Sequence, residues 1–543
     1  MAALPKPDAP LCLLPDFGLS VSTSEESGLH LHRGALLLLQ YVGDPIAELR
    51  LSRCAVAECT IAQVFASVLL PVDEAAIAAH ASDPLLQPWE RGYAAACAAF
   101  VRGEFEMSVQ LCAANLRATW QDAFSARLII LAGLLAGDVA AALDPLASAM
   151  ATRAAVEGSR DGCGSAVGTL LAGLEAFALE EAGRLSEARG RAEAALEATA
   201  RFNTVASTPL SSPLTAAFAV HSLCHVFESM GEPAAGIACL DALDSALWLP
   251  CSLLSPHIWW HRALFELDAG GSGDGNVAAA LATYRAHLAD PPEGDPFALS
   301  DASGLLLRVW VLGLLPGVGT VSGAAGAFVS AQLVALHARW DAYRGRTELL
   351  RRSPFFFAHA ELVRGVAAGP DAYVVLSSSL VPLPGASAHR AAFCSSISRA
   401  ADAIARAVEE GWPAAAAGCT FAMFLSVIDA PSAAAAASAT RMPLPISTFA
   451  ASVAAFARPM GGSLAQRDVL VRLAVALGTR GAAGAPNVYM NESATACLED
   501  HLRIAAVAWP RTRFHALALT ALQLRHQGGP DIPLLALWPS RDG

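Results

Sequence analysis

Several kinds of segment are missing from this 543-residue sequence, and each absence narrows what the chain can be. It has no basic run, since Arg351 with Arg352 is the densest basic pair, and its net charge is -13 with a pI near 5.5. A nucleic-acid partner, which favours a basic face, therefore has no electrostatic case. The 12 cysteines never form paired C-x-x-C knuckles. Cys54 and Cys59, the closest two, have no second pair at zinc-finger spacing, so zinc ribbons are excluded and buried reduced thiols are expected. The first twenty residues hold three prolines before Leu13 and one basic residue, which fits neither a secretory signal nor an Arg-rich transit peptide. A cytoplasmic location is the expectation. There is also no phosphate-binding glycine loop and no nucleophile-elbow serine.

Aromatic residues are scarce at 7% and charged ones at 16%, whereas hydrophobic residues reach 54% with alanine the most abundant type. Alanine is the best helix former and lets helices approach closely, so this mixture suits stacked helix pairs better than a sheet. One uncharged stretch, Val309 to Ala338, has the length of a membrane span. Pro316, five glycines and several Ser, Thr and Gln residues there argue instead for two buried segments joined by a Gly-rich turn.

A repeat is legible. Gly103, Gly137, Gly183 and Gly231 each end one apolar-periodic segment and begin another, with a small residue five positions later: Ser108, Ala142, Ala188 and Gly236. In a tetratricopeptide unit the first helix ends in such a turn, and the small residue lies where the two helices cross. A fifth unit runs from HIWWHRALFELDAG through GGSGDG into NVAAALATYRAHL. The spacing predicts an all-α fold, a solenoid of antiparallel helix pairs over 89–290, behind capping helices in 1–88. An irregular helical segment with Ala/Gly/Ser-rich insertions follows in 291–543. TSEESGLHLHRGALLLLQYV reads as a helix capped by Ser22, Thr23 or Ser24.

The candidate chemistry is a group of histidines. His221, His225 and Glu228 fall at i, i+4 and i+7 on one helical face, and His257 and His261 repeat the i, i+4 spacing in the next unit. Imidazole nitrogens presented this way suit a divalent transition metal, zinc or iron. The same side chains can instead hydrogen-bond across the helix stack and fix its register, or serve as a metal-free acid/base or ligand site. Asp301 and Arg308 lie seven apart on one face and read as an inward ion pair or, for Asp301, as a helix cap. Ser463 stands at capping-box spacing before Gln466, and Arg467 with Asp468 reads as part of a polar network. The Trp259-Trp260 pair reads as core packing.

On these residues the chain resembles the tetratricopeptide repeat protein 38 family. The matching segments are VHSLCHVFESMGEPAAGIACL, HIWWHRALFELDAG with AALATYRAHL, DASGLLLRVWVLG and GGSLAQRDVL, in the family's order over most of the chain. The resemblance implies functional weight for His221, His225, Glu228, His257, His261, Asp301, His359, Gln466, Arg467 and Asp468. It implies a binding or scaffold protein whose polar concave groove takes a protein segment or small ligand; a metal-dependent enzyme is the alternative. The family's Asp two residues before His359 is Phe357 here.

Overall fold

The computed structural model describes residues 11–368 apart from 15–18, 24, 41, 43–73, 85, 159–164, 206–215, 270–273, 293–294, 315–322 and 345–353. Gln466, Arg467 and Asp468, with the C-terminal helices expected from the sequence, lie outside the described residues. The chain divides into two compact units: Met1–Val226 with Leu243–Ser255, and Phe227–Ala242 with Pro256–Gly543.

The first unit opens on a feature the sequence pattern does not announce. Strands β1 (Leu11–Leu14) and β2 (Leu19–Ser22) pair antiparallel, Leu11 opposite Ser22 and Leu14 opposite Leu19. Pro10 and Pro15 flank β1 without interrupting it, so its ladder donors are kept. Most of the other described residues are helical, in keeping with the all-α expectation. Trp89 Nε1 donates to Ser20 O at 2.9 Å, tying the hairpin to the helices.

Helices follow: α1 (Glu25–Gln40), α2 (Glu74–Ala81), α3 (Pro88–Val101), α4 (Phe105–Ala118), α5 (Ala123–Ala136), α6 (Leu143–Glu157), α7 (Ala166–Glu181), α8 (Leu185–Val205) and α9 (Ala217–Met230), whose residues from Phe227 on belong to the second unit. Consecutive helices pack on one another, α3 on α4, α4 on α5 and α7 on α8. The four repeat glycines lie at the expected turns with φ of 76, 75, 76 and 64°. Ser108, Ala142 and Ala188 are buried at the small positions. At Ser108 the hydroxyl donates to Ala96 O at 2.9 Å, which a larger residue would prevent.

Gly183 isolates the backbone term. An added Cβ would meet nothing within 4 Å, yet φ is +76°. An L-residue pays about 1–2 kcal/mol in that region. Gly183→Ala is therefore expected to lower unfolding free energy in urea by about 1 kcal/mol with no change in contacts.

The second unit contains α10 (Pro233–Ala242), most of α11 (Leu254–Asp268), α12 (Asp274–His287), α13 (Pro296–Leu314), α14 (Ala324–Arg344) and α15 (Pro354–Ala368). The last three pack mutually around Leu305, Leu306, Phe355, Phe356 and Trp340, whose Nε1 donates to Ser303 Oγ at 3.0 Å. Asp301 is not the cap of α13. Asp295 Oδ1 accepts from Phe297 N and Ala298 N at 2.9 and 3.1 Å, placing Asp301 in the second turn. The uncharged stretch 309–338 covers the end of α13 and the start of α14. Among the described residues no helix is long and apolar enough to cross a membrane.

Candidate histidine and carboxylate site

In the first unit, His221 and His225 lie one turn apart on α9, whose apolar face is otherwise Val220, Leu223, Cys224 and Val226. Both imidazoles are buried, at 6% and 1% exposure, so neither is solvated by bulk water. Phe177 of α7 packs on both rings, with centroids 4.9 Å from each. The helices come this close because Gly173 faces α9: Ser222 Oγ donates to Gly173 O at 2.9 Å.

The two Nε2 atoms are 3.0 Å apart, and His225 Nδ1 is 3.6 Å from Glu180 Oε2. That carboxylate oxygen lies beyond hydrogen-bond distance, so the proton shared between the two Nε2 atoms can sit on either ring. Two nitrogens bound tetrahedrally at ~2.05 Å from one ion would stand about 3.3 Å apart, so a small movement and the loss of that proton convert the contact into a chelating pair. Glu180, Glu181 and His225 also offer ligand atoms within 4.8 Å of one another.

In the second unit, His257 and His261 lie one turn apart on α11, with ring centroids 4.7 Å apart. His257 Nδ1 is 2.8 Å from Asp301 Oδ2, and His261 Nδ1 is 3.0 Å from Glu228 Oε2. Each carboxylate fixes a proton on Nδ1 and directs the lone pair of a neutral ring to Nε2. Three of the five sequence-named histidines, His225, His257 and His261, thus turn Nδ1 toward a carboxylate. Carboxylates in this position orient and strengthen metal-binding imidazoles.

His257 stacks on Trp260, centroids 5.0 Å apart, and Trp260 lies under Arg308, whose Cζ is 5.2 Å from the ring centroid. Trp259 points elsewhere, stacked on His287 at 3.7 Å. His359, on α15, is 2% exposed, and its Nδ1 donates to Phe355 O at 2.9 Å. Burial holds its imidazolium down, the Phe355 carbonyl opposing, and the pKa falls to about 4. His359 is therefore a neutral ring at pH 7, with its lone pair on Nε2.

Cys97, Cys112, Cys224, Cys239 and Cys251 form no disulfide among the described residues, and all but Cys239 are buried. Burial pushes the Cys251 thiol up to about 11, removing it as a thiolate ligand at neutral pH.

Sequence reasoning overlooked Glu180. The signal was present: Glu180 stands three residues before turn glycine Gly183, as Glu228 stands three before Gly231. By the same offset Phe177 corresponds to His225, and Gly173 to His221. No model of a protein family matches the chain, and no solved structure matches it significantly.

Proposed function

We propose that this chain is a helical-repeat protein of the tetratricopeptide protein 38 type that binds a divalent transition metal, zinc or iron. The candidate ligands are one imidazole pair in each unit, His221 with His225 in the first and His257 with His261 in the second. The observation that carries the reading is the recurrence of one chemical pattern. His225, His257 and His261 each direct Nδ1 at a buried or half-buried carboxylate, and none of these imidazoles is solvated. A network serving only to fix helix register needs hydrogen bonds, but it has no reason to turn the same nitrogen inward each time. The turn glycines and small crossing residues support the repeat type, and a cytoplasmic location accords with the free, buried thiols.

The test is elemental analysis of protein purified without a histidine tag. Stoichiometric zinc or iron is expected in the wild type and less in His225→Ala or His261→Ala. Chelation should lower the wild-type melting temperature more than that of either variant, because an ion at 1,000 times its Kd adds about 4 kcal/mol to the folded state. A metal-free wild type, or equal metal in all three proteins, contradicts the reading.

A further inference from the structure

The two imidazole pairs share one helical spacing, yet they are not equivalent, and the difference lies in which ring nitrogens are already engaged. In the second unit it is Nδ1 on both rings. His257 Nδ1 stands 2.8 Å from Asp301 Oδ2 and His261 Nδ1 stands 3.0 Å from Glu228 Oε2, both within hydrogen-bond distance. Each Nδ1–H is therefore donated, and the lone pair of each neutral ring is left on Nε2. The pair offers ligand atoms within 4.8 Å of each other. In the first unit it is Nε2 on both rings. His221 and His225 are joined through these atoms, 3.0 Å apart, and Glu180 Oε2 is 3.6 Å from His225 Nδ1.

An ion entering the first pair must break the bond between the two Nε2 atoms and displace the proton they share. That costs about one hydrogen bond, roughly tenfold in affinity. The pair has one advantage, since its nitrogens are already close to the separation that two ligands of one ion adopt. An ion entering the second pair breaks no bond between the rings and changes no tautomer. It also gains from two carboxylates, because a group hydrogen-bonded behind a ligating imidazole is worth about 10- to 100-fold in metal affinity. The side chains of Asp301 and Glu228 are 3% and 12% exposed, so water screens their attraction for a dication only weakly. Two such contributions outweigh the closer spacing of the first pair.

We propose that His257 with His261 is the primary metal site, filled before the first-unit pair, and that Glu228 and Asp301 are the positioning residues that set this order. The order presupposes the metal reading and goes beyond it, by ranking the two pairs and naming the residues responsible.

The experiment is a Zn2+ titration of the untagged full chain, stripped of metal, in competition with a chromophoric chelator. Two steps are expected, the first tighter than the second by at least about tenfold. His261→Ala should lose the tighter step and keep the weaker, and His225→Ala should do the reverse. Glu228→Gln and Asp301→Asn keep an acceptor for the Nδ1–H and remove only the charge, so the rings stay oriented. Each should weaken the tighter step about 10- to 100-fold and leave the weaker step unchanged. A carboxylate that merely fixed the packing of its ring would leave zinc affinity where it was. If a histidine variant fails to fold, the two carboxylate variants decide the matter by themselves. Loss of the tighter step in His225→Ala, two steps of equal affinity, or an unmoved tighter step in both carboxylate variants overturns the order while metal binding itself stands. A wild type that takes up no zinc contradicts the metal reading and the order together.

Discussion

Gly173→Ala is expected to destabilise the protein by about 2 kcal/mol, whereas the same change at Gly190 should stabilise it by about 0.5–1 kcal/mol. Both glycines are helical, so the propensity gain is common to the two. They differ in what the new methyl group meets. At Gly173 it would lie 2.9 Å from Ala219 N and from Phe218 Cβ on the facing helix, and one of these is backbone that cannot rotate away. At Gly190 it meets nothing within 4 Å. The Gly173 change forces α7 and α9 apart, stretching the Ser222 bond to Gly173 O and loosening Phe177 from the His221 and His225 rings. Urea unfolding of the two variants measures both signs. Destabilisation of equal size at both positions would mean that the close helix approach is wrong.

The second large effect is a pH dependence at Asp122, which caps α5 and is fully buried. Its Oδ1 accepts from Phe124 N and Ser125 N at 3.0 and 3.1 Å, and its Oδ2 accepts from Asn115 Nδ2 at 2.6 Å. Asn115 Nδ2 also donates to Trp89 O, so this one carboxylate joins α3, α4 and α5. Burial pushes its pKa up from 3.8 to about 6, against the pull of its hydrogen-bond donors. The folded state therefore binds more protons than the unfolded state between about pH 4 and 6. Stability contributed by this group is greatest below pH 4, falls as pH rises through that window, and is flat above it. The loss amounts to about 2–3 kcal/mol between pH 4 and 7. Asp122→Asn keeps an acceptor for the cap but cannot titrate. The difference in unfolding free energy, variant minus wild type, should rise by that amount from pH 4 to pH 7. Parallel pH profiles would show that Asp122 is ionised throughout.

The helix pairs were legible because local signals agreed: each turn glycine is followed five residues later by a small residue, and both mark contacts set by backbone geometry. The i, i+4 histidines were legible because helical spacing alone puts two side chains on one face. Their carboxylate partners were less so. Glu228 shares a helix with His225 and was named from that spacing, but Glu180 lies 45 residues before His225, and only its offset from Gly183 identifies it. Asp301 was named for a cap or an ion pair with Arg308; the helix starts at Pro296, which moves it inward from the cap to where it accepts from His257. The hairpin was missed because β1 has four residues between prolines, too short for alternation to register.

X-ray absorption at the metal edge tests the central claim most directly, because it reports the atoms bound to the ion. The expected spectrum shows only nitrogen or oxygen at about 2.0–2.1 Å with the outer-shell scattering of imidazole, and this signature disappears when His225→Ala and His261→Ala are combined. A sulfur shell at about 2.3 Å, or an imidazole signature that survives both substitutions, would place the metal elsewhere and contradict the account.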